Sequence, residues 1–175
     1  MRPATEQMQL FLVGFMGCGK TTVGRLVAGA LDWKFVDLDI AIESRAGQDI
    51  ESIFTEHGEI GFRRMESDAL RMVVEQPNTV VATGGGIMTM SGNVTTMSGA
   101  GKSVWLDLPF ADIIARLGEQ QRRLRPLWRD DRVAKDLYRN RLSGYRAADI
   151  RVAVSVDETP EQTAERVVDL LRIEE

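Results

Sequence analysis

The sequence predicts an α/β domain built on a parallel sheet with helices on both faces. Three observations lead there. Short apolar runs alternate with longer stretches in which apolar residues recur at helical spacing. A glycine-rich turn joins the first apolar run to the first helical stretch. No internal repeat, low-complexity tract or Pro/Ser-rich linker divides the 175 residues, a length that suits one domain.

Taken in order, Met8–Val13 reads as a buried strand closed by Gly14. Thr21–Leu31 carries Val23, Leu26, Val27 and Ala30 on one helical face, and Phe35–Leu38 is a second short strand. Helical patterning resumes over Ile40–Ala46, Ile50–Glu56 and Ile60–Glu75, where Phe62, Met65, Ala69, Leu70 and Val73 share a stripe. Thr79–Ala82 and Ser103–Leu106 read as strands, Phe110–Leu117 and Asp131–Ala148 as helices, and Val152–Ser155 as the last strand. Glu161–Ile173 closes the chain as an amphipathic helix, with Thr159 as its N-cap and Pro160 in its first turn. Sheets of this kind bind ligands beyond the carboxyl ends of their strands. Candidate chemistry therefore lies at Gly14–Thr21, Asp37–Asp39, Gly84–Gly86, Asp107 and Asp157.

Composition narrows the class further. A single cysteine, Cys18, excludes an internal disulfide framework and suits a reducing compartment. No apolar run approaches the roughly 20 residues of a membrane helix, and residues 1–14 lack a signal-peptide pattern, so a soluble cytoplasmic protein is expected. The net charge of −4, from 22 basic and 26 acidic residues, argues against a general nucleic-acid binder. That figure hides an asymmetry. Between Arg116 and Arg151 stand ten Arg and one Lys against five acids, so this stretch is basic and the remainder acidic. Arginine offers a planar fork for phosphate or carboxylate, although most of these side chains can equally be solvated surface.

The most specific motif is Gly14-Phe15-Met16-Gly17-Cys18-Gly19-Lys20-Thr21, a G-x-x-x-x-G-K-T loop between an apolar strand and an amphipathic helix. Its glycines let backbone N–H groups turn inward around phosphates, and the following helix adds partial positive charge. Lys20 can bridge the β- and γ-phosphates, and the Thr21 hydroxyl can coordinate Mg²⁺. This reads as a nucleoside triphosphate and Mg²⁺, with kinase, GTPase and ATPase all open. Asp37 and Asp39, read as i and i+2 of an extended segment, would both face that loop, one toward the metal and one toward an acceptor hydroxyl. The plainer alternative is that they cap the following helix.

Gly84-Gly85-Gly86 clears side chains from a strand exit, either for a ligand or for a flexible loop. Glu66 lies i+3 from Arg63, close enough to orient its guanidinium, and one of Arg63 and Arg64 should face solvent. The polar stretch Gln120–Trp128 reads as an exposed mobile loop, and its arginines could close over the phosphates and exclude water.

With GFMGCGKTTVGRLVA, FVDLD, Ile50–Phe54 to Gly58-Glu59, Phe62-Arg63-Arg64-Met65-Glu66, ATGGG, Arg125-Pro126-Leu127 and Arg141-x-x-x-Tyr145 in order, the chain resembles the shikimate kinases from Leu12 to about Tyr145. The resemblance implies ATP-dependent phosphorylation of the 3-hydroxyl of shikimate, on the route to chorismate and the aromatic amino acids. It also implies the three-layer fold of the nucleoside monophosphate kinases, with sheet order 2-3-1-4-5. One monomeric domain over residues 1–175 would carry substrate-binding helices at about 39–75 and a mobile lid at about 118–130.

The resemblance further gives Gly14, Met16, Gly17, Cys18, Gly19, Lys20, Thr21 and Thr22 to ATP, together with Arg116 beside adenine and Arg125 from the lid. Thr21 and Asp37 fall in the Mg²⁺ environment, and Asp39 is the expected general base. Arg63 and Arg141 would hold the shikimate carboxylate while Gly84, Gly85 and Gly86 line its ring. The catalytic set is then Lys20, Asp39 and Arg125.

The chain also departs from the family pattern. No arginine stands around Asp157–Pro160, where relatives often place a second adenine-packing Arg, which bears on nucleotide selectivity. Leu142-Ser143-Gly144 precedes Tyr145, and Gly144 costs a helix about 1 kcal/mol relative to Ala. Cys18 reads as a passive small residue, His57 as a surface or capping residue, and Trp128 as a cover over bound ligand on lid closure. Two rival functions are another kinase of this architecture, acting on gluconate or a nucleotide, and a catalytically silent homologue. The Arg63/Arg141 pair and the triglycine argue against the first, and intact Lys20, Thr21, Asp37, Asp39 and Arg125 against the second.

Overall fold

Strand β1 (Gln9–Val13) is buried at all five positions and forms the centre of the sheet in this computed structural model, which describes residues 8–173. Its neighbours are β3 (Thr79–Ala82) on one side and β4 (Gly101–Asp107) on the other. With β2 (Lys34–Asp37) beside β3 and β5 (Ile150–Ala153) beside β4, the five strands run parallel in the order β2-β3-β1-β4-β5. The expected order is therefore the observed one. A run this apolar suits a strand covered on both faces.

Right-handed crossovers decide where the helices go. The β1 to β2 connection, through α1 (Lys20–Leu31), steps one way along the sheet; the β3 to β4 connection, through α4 (Ser91–Ala100), steps the other. The two helices consequently cover opposite faces. α1 lies on β2 and β3 and packs against α8 (Pro160–Ile173), while α4 lies on β1 and β4. The remaining helices are α2 (Leu38–Ala46), α3 (Ile50–Val73), α5 (Phe110–Arg116), α6 (Glu119–Arg123) and α7 (Asp131–Tyr145), with a 3₁₀ turn at Ile87–Thr89.

Several boundaries have a visible local cause. Thr159 and Gln162 form a reciprocal cap on α8: Gln162 N–H donates to the Thr159 hydroxyl at 3.3 Å, and Thr159 N–H donates to the Gln162 side chain at 2.9 Å. Asp149 fixes where β5 begins, since its carboxylate accepts from both the N–H and the hydroxyl of Ser103 at 2.7 Å. β5 therefore starts at Ile150, two residues before the expected Val152, and α7 ends at Tyr145 rather than Ala148.

Two helices were not expected. α4 is built from SGNVTTMSGA, with Asn93 and Met97 alone fully buried, so it has no amphipathic stripe to read. α6 occupies part of the expected loop and buries nothing. The two helical segments expected between Ile50 and Glu75 are continuous except at Gly58, whose φ of +65° bends the chain between them.

Candidate active site

The phosphate loop connects β1 to α1, as the motif requires. Gly17 holds φ +82° and has Leu117 so close that a Cβ would lie 2.5 Å from its Cδ1; no other residue fits this turn. Lys20 lies across the mouth of the loop, its ammonium donating to the Gly14 carbonyl at 2.8 Å and the Phe15 carbonyl at 3.0 Å. Cys18 is buried within the loop, 3.8 Å from that ammonium, and fills space as a small residue would.

Asp37 and Asp39 require a correction. They are not neighbours along an extended strand, because α2 begins at Leu38. Asp37 is the N-cap: Oδ1 accepts from Asp39 N–H at 3.1 Å and Ile40 N–H at 3.4 Å, while Oδ2 accepts from the Thr21 hydroxyl at 2.6 Å. The capping alternative is thus correct for Asp37, and it is compatible with facing the phosphate loop. Asp39 stands in the first helical turn, half-buried, with its buried Oδ1 lacking any partner among the described residues. Burial, then the charge of Asp37, raises its pKa above the usual 3.8.

Two adjoining cavities meet at this carboxylate. The first, about 690 Å³, is lined by Met16, Gly17 and Gly19–Thr22 of the loop and its helix, and by Asp37, Arg116 and Gln121 among others. The second, about 280 Å³, lies between α2, α3, the triglycine and α7 and includes Phe54, Phe62, Arg63 and Arg141. Asp39, Met16, Gly85, Leu124 and Arg125 line both. One volume faces phosphate-binding groups, and the other faces two buried guanidiniums.

Those guanidiniums are held differently. Arg63 donates to the fully buried Glu66 at 2.6 Å and to Glu59 at 3.3 Å; burial lowers its pKa, but the two carboxylates more than offset this. Glu66 keeps its other oxygen unpartnered beside Gly84, and burial raises its pKa despite Arg63. Arg141 stands over the Phe15 ring at 5.8 Å, and its Nε has no partner among the described residues. One turn later the Tyr145 hydroxyl donates to the Gly85 carbonyl, tying α7 to the triglycine. Buried polar atoms without partners are rare in finished cores. Among the described residues, Asp39 Oδ1, Glu66 Oε1, Arg125 Nε and Arg141 Nε belong to residues of the two cavities or their wall, and the fifth such atom, Arg122 Nε, lies outside both.

The sequence profile of the family described as Shikimate kinase matches residues 16–172. The chain belongs to the shikimate kinase family. Among curated relatives, the shikimate kinase of Synechococcus elongatus is 38% identical over 169 residues, covering 96% of this chain and 88% of its own length. That of Nostoc sp. is 40% identical over 171 residues, covering 96% and 93%. Among solved structures, the shikimate kinase of Acinetobacter baumannii in complex with shikimate superposes with a TM-score of 0.91 at 31% identity, covering 97% of this chain and 96% of that one.

Of the residues expected at the site, all but Gly14 and Cys18 line one or both cavities. Arg64, next to Arg63, faces solvent as expected. Trp128 does not cover a ligand: it is buried outside both cavities, stacked on Phe110 at 5.8 Å, because a ring this apolar finds a better partner in the core than over an open cleft. Arg116 lines the larger cavity, 3.5 Å from the carbonyls of Cys18 and Ser155. Beside it the 154–159 segment carries no arginine, and Arg166, from α8, is occupied with Glu158 at 2.7 Å and the Ala153 carbonyl at 2.9 Å. Gly144 also has a reason. A Cβ there would stand 3.3 Å from Met88, so the helix accepts a glycine where α7 meets the 3₁₀ turn. Sequence reasoning gave no binding role to Phe54, Phe62, Gln121 and Leu124; the first two stack at 4.7 Å and form an apolar wall of the smaller cavity.

Proposed function

We infer that this chain transfers the γ-phosphoryl group of ATP to the 3-hydroxyl of shikimate, giving shikimate 3-phosphate and ADP in the chorismate route to aromatic amino acids. The observation that carries the residue roles is the junction of the two cavities at Asp39 and Arg125. ATP occupies the larger one, its phosphates on the N–H groups of loop residues 14–19, on Lys20 and on Thr22, with Arg116 against the adenine. Shikimate occupies the smaller one. Its carboxylate meets Arg63 and Arg141, and its ring lies on Gly84, Gly85 and Gly86, where side chains would intrude.

Thr21 and Asp37 suit Mg²⁺, because their oxygens stand 2.6 Å apart at the loop and this ion prefers one or two protein oxygens with phosphate and water completing its shell. When bound, Mg²⁺ neutralises phosphate charge as the phosphoryl group moves. Everything else is done by the chain. Asp39 accepts the proton of the acceptor hydroxyl and holds that oxygen in line. Lys20 and Arg125 follow the charge that spreads over the transferring group. The 118–130 segment acts as a lid that keeps water from competing for the phosphoryl group. The working unit of this reading is one chain, which by itself carries every residue named above. Among the described residues no helix is long and apolar enough to cross a membrane. A cytoplasmic location suits the ATP requirement and the unpaired cysteine.

A coupled ADP-release assay tests the reading with shikimate, gluconate and nucleoside monophosphates as acceptors. Turnover with shikimate alone is expected; turnover with another acceptor and none with shikimate overturns the assignment. Arg125→Ala is expected to lower kcat by about 10²–10³-fold, in line with losing one preorganised charge donor, with a smaller change in KM for shikimate. A kcat near that of the parent enzyme removes Arg125 from the mechanism.

A further inference from the structure

Asp131 opens α7 outside both cavities, with about half of its side chain exposed. Its carboxylate nevertheless gathers two side chains from the preceding segment. A single Arg122 nitrogen donates to both of its oxygens at 2.9 Å, and the Trp128 indole N–H donates to Oδ1 at 3.0 Å. The backbone between those residues is wound into two consecutive turns: Arg125 N–H donates to the Arg122 carbonyl at 3.1 Å, and Trp128 N–H to the Arg125 carbonyl at 2.8 Å. Arg122, Arg125 and Trp128 are thus three residues apart, and the outer two share one carboxylate. The middle one is the arginine that lines both cavities.

The assembly is anchored to the phosphate loop. Trp128 stacks on Phe110, and its centroid lies 6.3 Å from that of Phe15, inside the loop motif. Arg125 has no such support among the described residues, where its buried Nε lacks a partner. The direction in which its side chain points therefore depends on how the 122–128 turns are held. An exposed ion pair alone contributes little to stability. Here the same carboxylate also closes a ring of bonds around a residue of the site, and small displacements of such a residue have large effects on rate.

We propose that Asp131 is a positioning residue for phosphoryl transfer, tying Arg122 to Trp128 so that Arg125 is aimed at the junction of the two cavities. The inference rests on the role given above to Arg125. It assigns Asp131 no contact with either substrate. The indole N–H and then the Arg122 guanidinium hold its carboxyl below the ordinary range, so the tie persists under mildly acid conditions.

A double-mutant cycle on the full chain tests this. Kinetic constants and thermal midpoints are measured for Asp131→Ala, Arg125→Ala and the double variant, with Arg122→Gln as a second way of opening the ring. Asp131→Ala is expected to lower kcat by about 10- to 100-fold with KM for shikimate and the melting midpoint little changed. In the Arg125→Ala background the same substitution should cost no more than about twofold, because its route of action is already gone. Arg122→Gln should reproduce that pattern. Equal fold losses in both backgrounds, or a kcat for Asp131→Ala within about twofold of the parent, overturn the proposal. Should Arg125→Ala itself leave kcat intact, the role of Arg125 falls and this inference with it. Should Arg125→Ala be crippled and Asp131→Ala normal, the inference falls alone.

Discussion

Asp39→Asn is expected to reduce kcat by about 10²–10⁴-fold while leaving ATP affinity almost unchanged, as read by steady-state kinetics and calorimetric titration. The amide keeps the shape of the side chain but cannot take the proton from the acceptor hydroxyl. In the proposed reading ATP is held by the loop N–H groups and Lys20, and Lys20 hydrogen-bonds to the Gly14 and Phe15 carbonyls and not to Asp39. An equal loss of ATP affinity would show that Asp39 serves the nucleotide and would overturn its role as base.

The same substitution should make the protein more stable at neutral pH, because an ionised carboxylate held in burial beside Asp37, with one oxygen unpartnered, opposes folding. The sign follows from linkage. A carboxyl whose folded pKa lies above 3.8 binds its proton more tightly in the folded state, so its favourable contribution is present below the unfolded value and lost as pH rises through the folded one. The stability advantage of Asp39→Asn should accordingly be largest above that raised pKa and shrink as the pH is lowered toward 3.8. The kcat/KM of the parent enzyme runs the same way, falling as Asp39 is protonated over the same window. Thermal midpoints of both proteins measured from the unfolded value of 3.8 up to neutral pH decide the matter; a pH-independent difference would mean that Asp39 does not titrate with a raised pKa.

Gly84→Ala is the second change expected to have a large effect. Its added methyl would stand 2.1 Å from Glu66 Oε1 and 3.3 Å from Asp39 Oδ1. Glu66 is wholly buried and already committed to Arg63 at 2.6 Å, so it cannot swing away without breaking that pair. Overpacking of this kind costs about 1–3 kcal/mol, which for a protein of this length lowers the melting midpoint by roughly 2–4 °C per kcal/mol. The displaced Arg63 should raise KM for shikimate by tenfold or more, about the effect of one lost charged contact of 1.4 kcal/mol. Gly29→Ala in α1 is the control, because a Cβ there meets nothing within 4 Å. Equal melting midpoints and KM for both variants would show that the Gly84 contact is absent.

The parts of this molecule that could be read from sequence are those in which one short segment carries the whole physical reason. The phosphate loop needs its glycines, lysine and threonine within eight residues, and β1 announces itself by the apolar run Leu10–Val13. The pairing of Arg63 with Glu66 follows from a single helical turn. What escaped depends on packing between distant segments. α4 is held by its place on β1 and β4 and not by its own sequence, and Trp128 was drawn to Phe110 and Phe15 instead of to the cleft. Asp37 misled because one carboxylate both caps α2 and meets Thr21, and an extended reading of DLD cannot show the helix that begins between its two acids.

The position of β1 in the sheet also has a consequence for how the protein is made. It is the first strand in chain order and the central one in space, and its two neighbours come from much later residues: Gln9 pairs with Thr79 on one side and with Gly101 on the other. At about 5–20 residues per second, several seconds of synthesis separate the strand from its second partner. Through that interval the nascent polypeptide carries an apolar strand with open edges, a template for pairing with other chains. The phosphate loop shares the delay, because the Leu106 carbonyl of β4 is packed against Gly14. A ribosome that stalls before Gly101 therefore releases a species for chaperones or proteases to handle, with no partial enzyme among its products.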